Sequence, residues 1–246
     1  MSLHRLVEDY SRRCRDCATP AELFALTEAA AREIKFPRLA MVHGLSFRRP
    51  DRRLIRLDNF GEWADIFVER KYYRDDPALL ACQRTNTAFA WTEMPRLLHL
   101  THRQHLILGE AQRHGLSTGF TLPIGVMGEP HGCCSFARDG TELPSRWYCR
   151  AAALIGADAF REARRLHGYP ARAKQLPQLS DRKFDCLELL AIGKTDPEIA
   201  IILGLQDSTV RSYMAQLRLD FDVYSRTQLT AEALRFGLVS YGDAIP

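Results

Sequence analysis

Six polar side chains between residues 194 and 216 are of the types that bind DNA. Arg211 and Gln216 carry groups that can hydrogen-bond to base edges in the major groove. The other four are suited to contacts with phosphates: Lys194, Ser208, Thr209 and Ser212. These side chains can act together only if one helix and the turn before it present them to the same groove.

The residues around them have the spacing of a helix-turn-helix. Ala200 is small enough for two helices to cross closely, Gly204 allows a tight turn, and Val210 anchors the second helix. Asp196-Pro197-Glu198 predicts the start of the first helix, and Asp207-Ser208 predicts the cap of the second. On this spacing alone, a generic helical bundle with solvated polar faces remains the alternative.

Charge does not by itself identify a DNA-binding region here. Residues 176–246 contain 7 Lys+Arg and 10 Asp+Glu, a net charge of −3, whereas residues 161–175 contain 5 basic and 1 acidic side chain, a net charge of +4. Helix dipoles direct partial positive charge toward phosphates and partly offset the acidic total. The DNA-binding interpretation therefore depends on the residue pattern.

Catalytic and metal-binding patterns are weak in this chain. A hydrolase would need an activated nucleophile or a metal site, and we expect neither. His99, His102 and His105 recur at helical spacing without a carboxylate nearby, which indicates a surface pattern. Cys14 and Cys17 form a Cys-x-x-Cys pair, but no second pair completes the four ligands of zinc. We expect seven reduced thiols, no metal and no cofactor.

The periodicity along the chain predicts a mixed first part and a helical second part. Predicted helices cover 3–10, 20–34, 62–73, 103–113 and 145–166, and predicted strands cover 39–47, 53–58, 119–126 and 131–137, with a further short run at 87–93. Consecutive hairpin-like strands between helices predict an α+β chain, with an N-terminal α/β/α sandwich around an antiparallel sheet. Gly168, Pro170 and Pro177 predict a linker at 169–178, between domains at 1–168 and 179–246.

The C-terminal sixty residues resemble the LuxR-type DNA-binding domain over their full length. The matching residues are 179–180, 187, 191–195, 198–200, 203–204, 208–211, 223, 226, 233 and 237–239. Lys183 departs from the family, which usually has an acid there that helps to hold the helices together. The resemblance implies an all-α, four-helix domain that acts as a dimer on a palindromic site, with the last helix, about 226–237, pairing the protomers.

Residues 61–94 resemble the autoinducer-binding domain of quorum-sensing LuxR-type receptors. Trp63, Asp76 and Trp91 have the order and spacing of that domain, and Gly119 matches its later glycine. The resemblance therefore covers nearly the whole chain and implies an N-acyl-homoserine lactone bound between the sheet and a helix layer. Without it, the tryptophans would be read as core residues and Asp76 as a turn and helix cap.

The chemistry of that ligand class suits the residues at these positions. Its amide N–H needs an acceptor, and the charge of Asp76 would strengthen that hydrogen bond. Trp63 can donate its indole N–H to the lactone carbonyl. The remaining predicted contacts are Trp91 and Phe67 on the head group, Ser135 through its hydroxyl, and Leu122 and Ile124 on the acyl tail.

Two departures from the family concern hydroxyl groups. Asn59 stands four residues before Trp63, where family receptors commonly have a Tyr that reaches the acyl carbonyl, and Phe60 takes that place under a one-residue slip. Phe67 stands where a second Tyr is usual. A missing phenol removes about 0.5–1.5 kcal/mol of hydrogen bonding unless Asn59, Tyr72 or water substitutes. We therefore expect an atypical tail or head group, for example aryl or branched.

These features predict a ligand-responsive transcriptional regulator and not an enzyme. We expect it to bind an acyl- or aroyl-homoserine lactone, to form a homodimer on promoter DNA, and to contact RNA polymerase. We expect a cytoplasmic protein, because no signal peptide opens the chain and the longest uncharged stretch, 114–128, is too short to span a bilayer. The alternatives are an orphan regulator that responds to another small molecule or to none, a lactone hydrolase, and an interaction module without DNA binding.

Overall fold

The computed structural model describes residues 2–44, 54–126, 129, 131–169, 176–240 and 242. The chain forms two compact units, Met1–Ala171 and Arg172–Pro246. Each unit has its own hydrophobic core. The predicted linker, 169–178, spans the division between the units, and its residues 170–175 lie outside the described part of the chain.

The first unit combines helices with short strands. Its helices are α1 (Leu3–Arg13), α2 (Pro20–Glu33), α3 (Glu62–Glu69), α4 (Pro77–Ala81), α5 (Met94–Leu97), α6 (His102–Arg113) and α7 (Arg146–Leu166). Its strands are β1 (Arg38–His43), β2 (Ile55–Asp58), β3 (Phe89–Ala90), β4 (Thr118–Ile124) and β5 (Gly132–Arg138). Helix starts follow local sequence: Thr19 caps α2 by accepting the Glu22 N–H at 3.2 Å, and Pro20 occupies the first turn.

The strands form one antiparallel sheet in the order β2-β1-β5-β4-β3. Residues that lie directly opposite each other on neighbouring strands point to the same face of a sheet. The register therefore defines a row of side chains across the whole sheet, made of Asp58, Ala40, Ser135, Thr121 and Phe89. This row lies on the face that forms the candidate site.

The two faces of the sheet contact different helices. One face packs against α1, α2 and α7 around Phe36 and Phe136, which are fully buried. The other face contributes Cys133 and Ala137 to two clusters with residues of α3, α4 and α6 around Trp63 and Phe89. Helices thus cover both faces, which confirms the predicted α/β/α sandwich with an antiparallel sheet.

Helices are the only regular secondary structure among the described residues of the second unit. It contains α8 (Asp181–Ala191), α9 (Asp196–Leu203), α10 (Asp207–Asp220) and α11 (Arg226–Arg235). Leu187, Val210, Leu217 and Leu229 are completely buried between these helices. Gly204 ends α9 with φ +66°, a left-handed conformation that glycine adopts without strain, so the tight turn before α10 forms as its spacing predicts.

Lys183 stands where the family usually has an acid, and it still forms an ion pair between two helices. Its Nζ lies 2.8 Å from Oδ2 of Asp220, which joins the first turn of α8 to the last turn of α10. Both side chains are mostly buried, at 17% and 31% exposed. The contact between these helices therefore uses an ion pair in which α8 supplies the cation.

Two predicted helix caps are shifted by one residue. Thr195 precedes α9 and forms a capping box with Glu198, whereas Asp196 pairs with Arg226 of α11. Gln206 precedes α10, and Asp207 is already in its first turn, with no side-chain cap. The aspartates were expected to bind backbone N–H groups, but each forms an ion pair with an arginine instead, Asp196 with Arg226 and Asp207 with Arg211.

Element lengths also differ from the predicted ones. The predicted helix at 62–73 ends at Glu69, because Lys71 adopts a positive φ of +56° and a 3-10 turn follows at Tyr72–Arg74. Residues 45–47 of the predicted strand 39–47, and residue 53 of the strand 53–58, lie outside the described part of the chain.

The cysteine and histidine motifs are accounted for by local structure. All seven cysteines are free thiols. Cys14 and Cys17 are buried, and their thiols donate to backbone carbonyls one turn earlier. The side chains of His99, His102 and His105 are exposed, and the described residues contain no cluster of three or more metal-ligating groups. None of the described helices has the length and apolar character that a membrane crossing requires.

Candidate functional site

A cavity of about 120 Å³, partly open to solvent, lies between the sheet and the layer of α3, α4 and α6. Small-molecule sites are typically clefts that are mostly apolar and have a few polar groups. Its apolar wall includes Ala40, Val42, Phe60, Ala64, Leu79 and Ile107, and its aromatic side chains include Trp63, Phe67 and Trp91. Its polar lining residues are Arg56, Asp58, Tyr73, Asp76 and Ser135.

Trp63 is held rigidly in this wall by α3. Its side chain is buried, and its ring centroid lies 6.1 Å from that of Phe67 and 5.7 Å from that of Tyr72. Within the described residues, the indole Nε1 has no hydrogen-bond acceptor, although the residue lines the cavity. The indole N–H is therefore available to a carbonyl oxygen of a bound molecule.

Asp76 combines two roles that the sequence left as alternatives. It is the N-cap residue of α4, where its Oδ1 accepts the Leu79 N–H at 2.8 Å, and it also lines the cavity. Burial away from water raises the pKa of Asp76 to about 6, although backbone N–H groups of Leu79 and Ala78 oppose that shift. A carboxylate has two oxygens, so capping leaves acceptor capacity for a ligand N–H.

Trp91 is fixed by a hydrogen-bonded chain on the cavity face of the sheet. Its Nε1 donates to Oγ1 of Thr121 at 2.9 Å, and that hydroxyl lies 2.9 Å from Oγ of Ser135. A Cβ at Gly119 would lie 2.3 Å from the Trp91 ring, so only glycine allows the ring to lie against β4. The glycine and the tryptophan of the sequence motif are therefore a packing pair.

Asn59 does not line the cavity. Its Oδ1 accepts the Leu39 N–H at 2.7 Å, and its Nδ2 donates to Glu28 and to the Pro37 carbonyl at 2.8 and 3.0 Å. These bonds tie the end of β2 to β1 and α2, so the geometry does not support the predicted ligand contact. Phe60 lines the cavity instead, as the one-residue slip implies.

The expected tail contacts at Leu122 and Ile124 are wrong. Ile124 packs with the core under α1, α2 and α7, and Leu122 lies opposite Cys134, which is buried in that core. Successive strand residues point to opposite faces, so these side chains point away from the cavity. The strand residues that do line it are Ala40, Val42, Arg56, Asp58, Cys133 and Ser135.

Arg56 and Asp58 were not anticipated from the sequence as cavity residues. They lie on the edge strand β2, where Nε of Arg56 donates to Oδ2 of Asp58 at 2.9 Å. Ile55 and Leu57 alternate with them and pack into the opposite core. This alternation is the signal that places both charged side chains on the cavity face once the apolar face is known.

One sequence feature stands against the expectation that the chain has no activated nucleophile. Residues 115–119 read Gly-Leu-Ser-Thr-Gly and match Gly-x-Ser-x-Gly, whose serine lies on a strand-to-helix turn in α/β-hydrolases. Ser117 instead precedes β4, and its hydroxyl donates to Asp139 at 2.8 Å. Among the described residues, no histidine hydrogen-bonds to Ser117, so this segment lacks a nucleophile's geometry.

The second unit presents its predicted DNA contacts along α10 and just before α9. The exposed members are Ser208, Arg211, Ser212 and Gln216, whereas Thr209 and Lys194 are half-buried. Arg211 pairs with Asp207 one turn earlier, which orients its guanidinium along the helix surface. Val210, between these polar residues, is completely buried and anchors the helix.

The chain matches two protein family models. The model described as "Autoinducer binding domain" covers residues 19–163, which is more than half of the chain. The model described as "Bacterial regulatory proteins, luxR family" covers residues 177–233. The two matches lie within the two units of the structure.

Curated relatives of known function align over most of their length. The chain is 27% identical over 225 residues to the HTH-type quorum-sensing regulator RhlR of Pseudomonas aeruginosa, covering 88% of this chain and 89% of the relative. It is 24% identical over 190 residues to the transcriptional activator TraR of Agrobacterium vitis, covering 76% and 81%. Both relatives are named as regulators, one of them as a transcriptional activator.

Solved structures share the fold. SdiA in complex with octanoyl-rac-glycerol superimposes with a TM-score of 0.60, at 20% identity and with 96% of each chain covered. CepR2 of Burkholderia cenocepacia, titled an N-acylhomoserine lactone dependent factor, has a TM-score of 0.54 at 19% identity, over 69% of this chain and 99% of CepR2. With family models matching both of its units, the chain belongs to the LuxR family of quorum-sensing transcriptional regulators, with an autoinducer-binding domain and a DNA-binding helix-turn-helix domain.

Proposed function

We propose that the sensor cavity binds an N-acyl- or N-aroyl-homoserine lactone, and that the chain, as a homodimer, binds a palindromic promoter site through α10. One observation carries the proposal. Asp76 and Trp63, whose side chains supply an acceptor and a donor, both line the same mainly apolar cavity.

The head group of this ligand class has one amide N–H and two carbonyl oxygens. Asp76 accepts the amide N–H, and the partial desolvation that raises its pKa also strengthens a hydrogen bond to its charged form. Trp63 donates to the lactone carbonyl. Trp91 and Phe67 contact the ring faces, and Ser135 offers its hydroxyl to the acyl carbonyl in place of the missing phenols.

Ligand binding would stabilise the sensor because it fills a space that the chain itself leaves open. A ligand that binds only the folded state adds about 2.7 kcal/mol at a concentration of 100 times its Kd. The apolar tail contributes through burial of hydrocarbon surface. Ligand concentration would then control the amount of folded regulator.

The DNA-binding half of the proposal follows from the exposed polar face of α10. Arg211 and Gln216 would read base edges, and Ser208, Thr209, Ser212 and Lys194 would hold phosphates. Two copies would place two recognition helices on half-sites about one helical turn of DNA apart, which is why we propose a homodimer and a palindrome. RNA polymerase is the further partner that we propose at such a promoter.

Thermal unfolding with a ligand panel tests the sensor function. The panel contains N-acyl- and N-aroyl-homoserine lactones, together with octanoyl-rac-glycerol as a different head group. We expect a rise of several degrees for at least one lactone, lost in Asp76→Ala because a charge-assisted hydrogen bond contributes about 1–3 kcal/mol. Asp75→Ala is the matched control, since Asp75 pairs with Arg103 and does not line the cavity.

Two outcomes would contradict that expectation. A rise in melting temperature with octanoyl-rac-glycerol alone would indicate that the ligand is an acylglycerol and not a lactone. No shift with any member, for a protein that binds DNA unaided, would favour the orphan regulator. The structural use of Asn59 and the absence of a hydroxyl at Phe67 are the observations that keep the orphan alternative open.

DNA binding is tested separately with Arg211→Ala. This variant should no longer bind specifically to promoter DNA that the parent protein binds. The rise in melting temperature caused by ligand should stay unchanged. Arg182→Ala is the control, because Arg182 pairs with Asp185 on the exposed surface of α8. Normal operator binding by Arg211→Ala would show that the α10 assignment is wrong.

A further inference from the structure

We infer that Arg56 and Asp58 form a second polar recognition point in the cavity, which selects ligands whose tail carries a hydroxyl at its far end. This inference rests on the proposed function, because it names a feature of the ligand bound in that cavity. It concerns two charged side chains in a wall that is otherwise mainly apolar.

The sheet register places this pair at the opposite side of the cavity from the proposed head-group site. Residues of α4, which begins after Asp76, pack with Phe89, Trp91 and Cys133 at the β5–β3 side. Arg56 and Asp58 lie on β2, at the other edge of the sheet. A ligand anchored at Asp76 would therefore direct its tail across the sheet toward β2.

The distance from Ser135 to Asp58, and the apolar side chains that lie between them on the sheet, suit an extended ligand tail. Asp58 and Ser135 lie in the same row of side chains, separated by Ala40 of β1. Neighbouring strands are about 4.8 Å apart, so the two backbones lie roughly 10 Å apart. Ala40 and Val42 form the floor between them and have no side-chain polar atoms. Along this floor, Arg56 and Asp58 are the next polar side chains after Ser135.

The pair has hydrogen-bonding capacity that its own contact does not use. Nε of Arg56 donates to Oδ2 of Asp58, and within the described residues the remaining N–H groups of Arg56 and the second oxygen of Asp58 have no partner. Arg is only a donor and an ionised Asp only an acceptor. A hydroxyl is the neutral group that both accepts from an arginine and donates to a carboxylate, so one hydroxyl can complete both.

Other tail ends are less complementary to the pair. A methyl end would displace water from two charged groups and give no hydrogen bond in return. A carboxylate end would bind Arg56 but repel Asp58. Because a hydrogen bond to a charged group is strong, we expect a hydroxylated tail to bind at least about tenfold more tightly than its unsubstituted analogue.

The test measures a ratio of dissociation constants, which does not depend on the head group. N-octanoyl-homoserine lactone is compared with its ω-hydroxy analogue, and N-phenylacetyl-homoserine lactone with its para-hydroxy analogue, by calorimetry on the full chain. Arg56→Met preserves side-chain length and removes the donors, and Asp58→Asn provides a second variant if the first does not fold. Arg12→Met is the control, because Arg12 forms a similar exposed ion pair with Asp9 on α1.

The expected result is a preference for the hydroxylated member of at least one pair in the parent and in Arg12→Met. Arg56→Met should reduce this preference to about onefold, because the hydroxyl loses its donor and the unsubstituted tail no longer displaces water from the guanidinium. Equal binding of both members by the parent, or an unchanged preference in Arg56→Met and Asp58→Asn, would overturn the inference and leave the proposed function intact. Failure of all four lactones to bind would instead remove the proposed function, and the inference with it.

Discussion

The two units of this chain use their interiors differently. The DNA-binding unit has a core in which Leu187, Val210 and Leu217 are fully buried, and the proposed DNA contacts on α10 lie outside it. The sensor unit has one closed core under α1, α2 and α7, but on the other side of its sheet the helices enclose a cavity. The sensor therefore has an interior space that a small molecule can complete.

In the DNA-binding unit, the residues proposed to bind DNA lie outside the core that stabilises the fold. In the sensor unit, the residues proposed to bind ligand also affect the stability of the fold. Asp76 must be partly desolvated to bind a ligand strongly, and the same desolvation raises its pKa and weakens the empty fold. Arg211 is exposed, so a substitution there removes a proposed DNA contact and not a core contact. Five predictions test this contrast, and each compares a residue with a matched control.

The largest expected effect is at Trp63. Trp63→Ala removes a buried side chain that packs with Phe67 and Tyr72, and should lower the free energy of unfolding of the sensor by about 3–5 kcal/mol. Trp147→Ala, at a side chain that is 54% exposed, should cost far less. We expect denaturant titration of the full chain to show a separate unfolding transition for each unit. An equal loss of unfolding free energy in the helical unit would contradict that expectation.

A comparable loss is expected at Leu217 in the other unit. Leu217→Ala leaves a cavity in the closed core and should cost about 2–5 kcal/mol, whereas Leu219→Ala, two residues along α10 and 79% exposed, should stay within about 0.5 kcal/mol. A lactone that raises the melting temperature of the sensor should leave the Leu217→Ala loss unchanged. Recovery by ligand would show that the units are coupled.

Gly119 tests how tightly the cavity wall is packed. Gly119→Ala would place a methyl group 2.3 Å from the Trp91 ring, which Thr121 holds in place, and should cost about 1–3 kcal/mol and weaken ligand binding. Gly109→Ala, within α6 and with nothing within 4 Å of the added Cβ, should be neutral or slightly stabilising. Equal melting temperatures of the two variants would argue against the close contact of Gly119 with Trp91.

Asp76 should make the sensor less stable as pH rises. Its folded pKa of about 6 lies above the ordinary value of 3.8, so between these values the folded state binds more protons and stability falls with increasing pH, by about 1–3 kcal/mol in all. Asp76→Asn should remove this slope, raise stability at pH 7 and abolish the ligand response.

Asp139 provides a control of opposite sign for that titration. Hydrogen bonds from Ser117 and Gly140 lower the pKa of Asp139. Its contribution to the stability of the fold is therefore lost as pH falls through the folded pKa. Asp139→Asn should therefore leave the Asp76 slope in place. Unfolding free energies measured from pH 4 to pH 8 separate the two residues, and a flat profile in the parent would contradict the burial of Asp76.

The smallest expected effect is at the ion pair of Lys183 with Asp220. Lys183→Ala should cost about 0.5–1 kcal/mol in the helical unit, because the pair is only partly desolvated. Lys183→Glu should cost more through repulsion, and adding Asp220→Lys should restore the contact. Arg182→Ala, at an exposed pair, is the control. No recovery in the exchanged pair would mean that Lys183 acts through packing.

Local patterns predicted the helices and turns well, because the interactions that form them span only a few residues. Thr19 and Pro20 start α2 as predicted, and Gly204 ends α9 with the positive φ that its role requires. The caps at Thr195 and Gln206 were misplaced by one residue because Asp196 and Asp207 have arginine partners. One of these, Arg226, is distant in the chain, and no local pattern reveals such a partner.

The candidate site was predicted only in part. Trp63, Asp76, Trp91, Phe67 and Ser135 all line the cavity, whereas Asn59 is engaged by the backbone and by Glu28. The spacing of residues along the chain identified the first group through a family resemblance. Which of Asn59 and Phe60 faces inward depends on strand register, and a shift of one residue exchanges the two faces.

The sequence by itself predicted the helix-turn-helix, the family and the proposed head-group residues, through a family resemblance carried by residue types at fixed spacings. The tertiary structure alone decided which face of the sheet borders the cavity. It turned Ile124 away from the cavity and brought Arg56 and Asp58 into its wall. The physical reason is that strand pairing joins residues far apart in the chain, and the pleat then sends alternate side chains to opposite faces.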